Sequence, residues 1–261
     1  MGPFGRRFVE SGDAMKRRIV GVVPARWGSS RFEGKPLADL CGKPMIWWVW
    51  SRARQAPSLE EVVVATDDER IRAACEGFGA LVRMTSSRHE TATDRLCEVA
   101  DQVPADLYVM VNGDEPLVSG ADVERVIPAD FDPGAVVVTN LMTSVVEPAE
   151  IVDVTNLKVV VNARNEALFI SRSPIPYPKG GVDFRFQKFV GVGAFTRPAL
   201  DWYRSTPRGP VESIEENDSF RFIENGKPVL YFDARCKTLS VDTPADRLRV
   251  EARLRSIGAV G

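Results

Sequence analysis

Short, almost wholly apolar runs recur along the chain with amphipathic stretches between them, and this alternation restricts the fold more than any other feature. Residues 61–66 (EVVVAT) and 107–112 (LYVMVN) carry no polar face. A strand that is apolar on both sides has to be covered on both sides, as in parallel sheets flanked by helices. Residues 19–24 form another β-rich run that ends at a proline, and 135–139 (AVVVT) one more. After Gly42-Lys43-Pro44, residues 45–54 have helical spacing, and the acids of Asp67-Asp68-Glu69-Arg70 suit a helix N-terminus. Strand, helix, strand, helix in this order predicts parallel βαβ units and a doubly wound, mostly parallel α/β sheet.

Beyond about residue 145 the pattern changes. Residues 157–161 and 167–171 read as strands paired around the polar turn 162–166, residues 189–195 as a further strand, and 244–255 as a terminal amphipathic helix. No Gly/Ser linker or repeat interrupts the chain. Residues 18–261 are therefore expected to form one domain, with a mixed-sheet region inserted at about 150–215. Residues 1–17 are polar and lack the apolar segment of a signal peptide, so they read as a flexible extension of a cytoplasmic protein.

The chain has 34 basic and 36 acidic side chains, a formal charge of −2. That balance argues against a nucleic-acid binder, which needs a basic excess. Its apolar runs fall short of the ~18–20 residues of a membrane span. Cys41, Cys75, Cys97 and Cys236 are scattered and read as reduced thiols, while a single histidine, His89, leaves a zinc site or a Ser-His-Asp triad without partners.

Ligands of open α/β sheets sit at the carboxyl ends of strands, which directs attention to the residues after Val23, Ala65, Val111 and Leu239. The loop after the first strand, residues 24–36 (PARWGSSRFEGKP), sets Arg26, Arg31 and Lys35 against one acid, Glu33. Two glycines and the hydroxyls of Ser29 and Ser30 add close approach and donors, a combination suited to a polyphosphate. It is no Walker A loop, because five residues separate Gly28 from Gly34 and Pro36 follows Lys35. A Gly-x-Gly-x-x-Gly fingerprint is also missing. Read alone, the loop could also be a solvated cationic surface. Asp114 and Glu115 follow a strand candidate, and Asp242 precedes Thr243-Pro244. From position alone Asp114 reads as a turn residue and Asp242 as an N-cap, with convergence on a divalent cation as the alternative.

Residues 24–46 (PARWGSSRFEGKPLADLCGKPMI) resemble the nucleotide-binding signature of the CMP-Kdo synthetases (3-deoxy-manno-octulosonate cytidylyltransferases). Further matches follow in order at 62–71 (VVVATDDERI), 84–96 (MTSSRHETATDRL), 111–116 (VNGDEP), 157–176 (LKVVVNARNEALFISRSPIP) and 241–246 (VDTPAD). The resemblance implies a Rossmann-like fold of the nucleotide-diphospho-sugar transferase type and a homodimer formed through the 150–215 region. It also implies transfer of CMP from CTP to an acidic acceptor with release of pyrophosphate, dependent on Mg²⁺. The metal would be held by Asp114 and Asp242, with Glu115 standing behind them. Arg26, Arg31 and Lys35 would hold the triphosphate and serve catalysis together with Asp114. CTP would also meet Pro24, Ala25, Ser29, Ser30, Thr66, Asp67, Thr91, Thr93, Arg95 and Asn112. Arg172, Lys188 and Glu215 would bind the acceptor, Arg172 as a bidentate fork. His89 reads equally as structural or catalytic. Trp47, Trp48 and Trp50 read as core or subunit contacts on a helix.

Several positions depart from the family pattern. Thr91-Ala92 replaces Ser-Gly, and Asn112 stands where Gln is usual. Phe189 and Gly193 replace a His and a Tyr, and residues 214–219 (IEENDS) replace Ile-Glu-x-x-Glu-Gln. Hydroxyl-rich Kdo would lose partners there, at about 1–3 kcal/mol for each buried group. That predicts a different and smaller acid, for instance a phosphonate such as phosphonoformate. The alternatives are a divergent Kdo enzyme using Lys179, Arg185 and Gln187, a nucleotide-sugar-dependent glycosyltransferase, and a silent nucleotide-binding protein.

Overall fold

The computed structural model describes residues 17–28, 32–180, 184–235 and 237–259. The expected extension (apart from its last residue, Arg17), together with Ser29, Ser30, Arg31 and Cys236, lies outside the described residues. The first half runs β1 (Ile19–Ala25), a 3-10 turn (Lys35–Leu37), the ribbon β2 (Asp39–Leu40) and β3 (Lys43–Pro44), and α1 (Met45–Ala53). It continues through β4 (Glu61–Thr66), α2 (Glu69–Gly77), β5 (Leu81–Met84), α3 (Ala92–Gln102) and β6 (Leu107–Val111). The second half comprises α4 (Gly120–Arg125), β7 (Val138–Ser144), α5 (Pro148–Val152), β8 (Lys158–Val161), β9 (Ala167–Ser171) and β10 (Gln187–Thr196). The helices α6 (Arg197–Ser205), α7 (Pro210–Glu215) and α8 (Phe220–Ile223) follow, then β11 (Leu230–Asp233) and α9 (Pro244–Ser256).

The large sheet has the order β11-β7-β10-β6-β1-β4-β5, with the β8–β9 hairpin branching from β10. The pairs β1–β4, β1–β6, β4–β5 and β7–β11 are parallel. Successive residues of each inner strand feed opposite cores, as the two-residue period requires. Val23, Val64 and Val109 pack with Ile46 and Trp50 of α1. Val22, Val63 and Tyr108 pack with Leu96 of α3 and Tyr203 of α6 on the other face. Each such side chain contributes about 1.5–3 kcal/mol on full burial, which explains why the inner strands read as continuous apolar runs. Trp48 and Trp50 are buried within their own chain, so that side of the tryptophan helix is core, while Trp47 is half-buried.

Two expectations change. The strand expected at 135–139 begins only at Val138, because a turn closed by Asp132 and a bond from Val137 N–H to the Thr196 hydroxyl (3.1 Å) occupy the preceding residues. The strand at the end of the supposed insertion also proves central. β10 runs antiparallel between β6 and β7, with a register break between Val190 and Gly193, and only β8–β9 stands off the main path. Cys75 and Cys97 are buried free thiols, and burial pushes both up to about 12, so they stay protonated.

Candidate active site

The strand ends after Val23 and Val111 meet the segment after Leu239, and the end after Ala65 supports them from the side. Leu239 itself ends no strand, because β11 stops at Asp233 and the described residues from there to α9 are coil. Leaving β1, the chain passes Pro24, Ala25 and the exposed Arg26 into a loop folded around Trp27. Gly34 N–H donates to the Trp27 carbonyl (3.2 Å), and the Trp27 indole N–H donates to Glu33 (3.1 Å). Arg70 of α2 stacks its guanidinium 3.4 Å from the Trp27 ring, as a cation over an aromatic face does. Gly34 is required twice: its φ is +67°, and a Cβ there would lie 3.0 Å from the indole. The loop thereby delivers Lys35, whose ammonium lies 2.8 Å from Asp114 Oδ2 and 3.6 Å from Asp242 Oδ1. Burial opposes the Lys35 charge, but the two aspartates outweigh it and raise its pKa.

Asp114 follows β6 through Asn112 and Gly113. The Asn112 N–H donates to the Gly191 carbonyl (2.7 Å), and the Asp114 carbonyl accepts from Val241 N–H (2.9 Å). Gly113 passes the end of β1 so closely that a Cβ would stand 2.8 Å from the Pro24 carbonyl oxygen. The Glu115 carboxylate accepts from Gly191 N–H (3.0 Å) and from the Ser240 hydroxyl (2.7 Å), both through Oε1. Asp114 and Asp242 thus converge on one cation position, from segments far apart in sequence.

The N-terminus of α3 forms the opposite wall. Thr91 caps it in a reciprocal box with Asp94, and the Thr91 hydroxyl also bonds the Tyr203 hydroxyl (3.0 Å). His89 pairs with Glu98; burial works against ionisation of Glu98, but Ser86 N–H and His89 hold its carboxyl below the usual range. Arg95, only 3% exposed, reaches Asp67 (3.1 Å) and the Thr85 hydroxyl.

These walls enclose a cavity of about 260 Å³, lined by Pro24, Ala25, Arg26, Lys35, Thr91, Arg95, Asn112, Asp114 and Asp242 among others. It opens into a second, of about 470 Å³, that shares Arg26, Thr91, Asn112, Asp114 and Asp242 and extends to Arg172 and Lys188. Here Lys188 pairs with Glu150 (2.7 Å), and Arg172 donates to the carbonyls of Glu215 (3.2 Å) and Val154 (3.0 Å). Fully buried Lys158 gives its ammonium to the carbonyls of Asp153 (3.0 Å), Asn156 (2.6 Å) and Arg172 (2.5 Å), strapping the wall together.

Four expected ligand residues stand behind the walls instead. Thr66 is fully buried and its hydroxyl accepts from Asp68 N–H (3.2 Å). Asp67 is taken by Arg95. Thr93 donates to Asp218 (2.6 Å), because the capped first turn of α3 directs it to the helix side away from Thr91. Glu215 holds the Ser171 hydroxyl (2.6 Å) and Arg172 N–H (2.9 Å). Sequence reasoning missed Lys158, Met45, Glu90 and Ser240. Met45, Glu90 and Lys158 lie within the matched stretches 24–46, 84–96 and 157–176, and Ser240 stands two residues before Asp242.

The sequence matches the cytidylyltransferase family over residues 20–226. It is 42% identical over 235 residues to the 3-deoxy-manno-octulosonate cytidylyltransferase of Escherichia coli, covering 90% of this chain and 95% of that protein. It is 39% identical over 237 residues to an 8-amino-3,8-dideoxy-manno-octulosonate cytidylyltransferase of Shewanella baltica, covering 89% and 97%. A solved structure of a CMP:2-keto-3-deoxy-manno-octonic acid synthetase complexed with CTP matches with a TM-score of 0.84 at 41% identity, covering 92% of this chain and 99% of that one.

Proposed function

The chain belongs to the CMP-Kdo synthetase family of CTP-using cytidylyltransferases, and from that premise we propose that it transfers CMP to a hydroxylated sugar acid of the octulosonate class. The carrying observation is the second cavity. Its volume of about 470 Å³, reached across Asp114 and Asp242, is walled by hydrogen-bonding groups such as Thr155, Asn156, Asn217 and Ser240 together with Arg172 and Lys188. A phosphonate as small as phosphonoformate would leave most of that volume to water. Relatives named for an octulosonate and for its 8-amino counterpart support the same size of acceptor. Phe189 lines this cavity, and Gly193 is fixed by packing: a Cβ there would lie 2.8 Å from the Thr139 carbonyl oxygen. The missing His and Tyr therefore do not by themselves shrink the site.

In the reaction an acceptor hydroxyl oxygen attacks the α-phosphorus of CTP. The new P–O bond forms as the bond to the bridging β-phosphate oxygen breaks, pyrophosphate leaves, and the hydroxyl proton passes to solvent. Arg26 and Lys35 face the phosphates and offset their charge, Thr91 and Arg95 shape the nucleotide side, and Arg172 and Lys188 orient the acid. Positioning and electrostatics supply the rate, with no protein nucleophile needed. Asp114 and Asp242, all-oxygen donors already converging on the Lys35 ammonium, fit a hard cation such as Mg²⁺, which when bound neutralises phosphate charge. Exposed Val152, Val154, Tyr177 and Ile214 in the 150–215 region support burial against a second copy, and a monomer by light scattering would refute that.

The deciding assay is pyrophosphate release from CTP and MgCl₂ with 3-deoxy-manno-octulosonate, its 8-amino analogue and phosphonoformate offered separately. Turnover of either sugar acid is expected, and turnover of phosphonoformate alone would overturn the reading. Asp114→Asn should abolish release, and undiminished release would remove the metal role.

A further inference from the structure

Glu115 is 3% exposed and yet belongs to the wall of the second cavity. Its two carboxylate oxygens are in different situations. Oε1 takes both protein donors, Gly191 N–H and the Ser240 hydroxyl. Oε2 is buried and has no hydrogen-bond partner among the described residues. Lys188, a cation whose charge reaches Glu115, is engaged elsewhere: its ammonium lies on Glu150 (2.7 Å) and Asn156 (3.4 Å). A buried acceptor oxygen without a donor is a rare and unfavourable feature that calls for an explanation. Glu115 stands on the acceptor side of Asn112, Asp114 and Asp242, which line both cavities. The bonds through Oε1 hold its carboxylate rigidly, because they tie it to the β10 bulge and to the segment carrying Asp242.

We infer that Glu115 Oε2 receives a hydrogen bond from a hydroxyl of the bound acceptor and so selects a hydroxylated acid. Burial, with Asp114 beside it, pushes the Glu115 carboxyl up to about 7; in its ionised form Oε2 takes a donor, and a carboxylate or phosphonate oxygen set against it is repelled, so the assays are run at pH 8. This assignment rests on the sugar-acid reading above and adds to it the residue that distinguishes such an acid from one bare of hydroxyls.

The test is a cycle between protein and substrate, run with the full chain, saturating CTP and MgCl₂. The acceptors are 3-deoxy-manno-octulosonate and its singly deoxygenated analogues. Glu115→Gln keeps an oxygen for Gly191 and Ser240 and replaces Oε2 with a donor. Acceptor kcat/KM is expected to fall about 30-fold, the middle of the range for leaving one buried polar group unpaired, with the CTP KM and the MgCl₂ dependence within about twofold. One deoxy analogue should lose a similar factor with the wild type and nothing further with Glu115→Gln. Glu115→Asp, which withdraws the carboxylate by one methylene, provides the same cycle should the glutamine variant not fold. If the losses multiply for every analogue, Oε2 does not meet the acceptor and the inference is overturned. Equal changes in CTP KM and acceptor KM would overturn it too. A wild type that turns over neither sugar acid refutes the functional reading, and this inference with it; turnover without coupling refutes the inference alone.

Discussion

Replacing Gly113 with alanine tests how closely the site depends on two strand ends touching. β1 and β6 are parallel neighbours, with Val22 opposite Met110. Just past that pairing, the added Cβ would lie 2.8 Å from the Pro24 carbonyl oxygen and 3.6 Å from Ile46 Cδ1. The first contact is roughly 0.7 Å inside the ~3.5 Å at which such atoms attract. It is made to backbone at the end of a buried strand, so no flexible side chain can yield. Overpacking of this kind costs about 1–3 kcal/mol. For a domain of this size that lowers Tm by roughly 3–10 °C. The displacement separates Asp114 from Pro24–Arg26, and a misplacement of ~1 Å in a reacting constellation costs about 100-fold in rate. Circular-dichroism melting and kcat for pyrophosphate release measure the two effects. Gly77→Ala is the internal control: at the end of α2 nothing beyond its chain neighbours and its own helix backbone lies within 4 Å of its Cβ among the described residues, so alanine should stabilise by about 0.5–1 kcal/mol. A Gly113→Ala protein that melts within about a degree of wild type and retains kcat within about twofold would refute the reasoning.

Three further outcomes follow from charges that the fold brings together. Lys35→Met removes the cation between Asp114 and Asp242, so kcat should fall by at least about 100-fold, and MgCl₂ should raise Tm more in the variant than in wild type; equal rises would count against a shared cation position. Glu212→Gln unpairs Arg221, its bidentate partner at 2.6 and 2.9 Å with both side chains nearly inaccessible, and urea unfolding should show a loss of about 3–5 kcal/mol. A loss below about 1 kcal/mol would mean the pair is not desolvated. Burial works against ionisation of Glu150, but Lys188 holds its carboxyl below the usual range. The unfolded chain then binds more protons than the folded one, so this stability is present above pH ~4.3 and disappears as pH falls through the lower folded value. Lys188→Met should therefore destabilise more at pH 6 than at pH 3, and an equal loss at both would contradict the assignment.

Much of the framework was legible in the chain. β4 and β6 appear as apolar runs because both faces are covered, and the start of α2 follows from Asp68, whose side chain caps Arg70 N–H. Lys35, Asp114 and Asp242 could be named because their motifs occur in family order. What was not legible shares a cause. Thr93 and Thr91 are two residues apart and chemically alike, yet the helix turns one toward Asp218 and leaves the other at the cavity. Lys158 occupies an ordinary-looking strand position, and only the fold bends the stretch before it, with the carbonyls of Asp153 and Asn156, and the end of the neighbouring strand, with that of Arg172, around its ammonium.

Sequence by itself determined the layering and the cationic loop, because burial on two faces leaves a repeating apolar mark along the chain, and it indicated the reaction class only through the resemblance of its ordered motifs to a family. Tertiary structure alone decided which of those side chains face the cavities. It placed β10 between β6 and β7, brought Gly191 and Ser240 onto one oxygen of Glu115, and left the other oxygen buried with no hydrogen-bond partner among the described residues. Such arrangements depend on contacts between residues more than 70 positions apart, Glu115 to Gly191 and Glu115 to Ser240, and no periodicity along the chain encodes a distance of that kind.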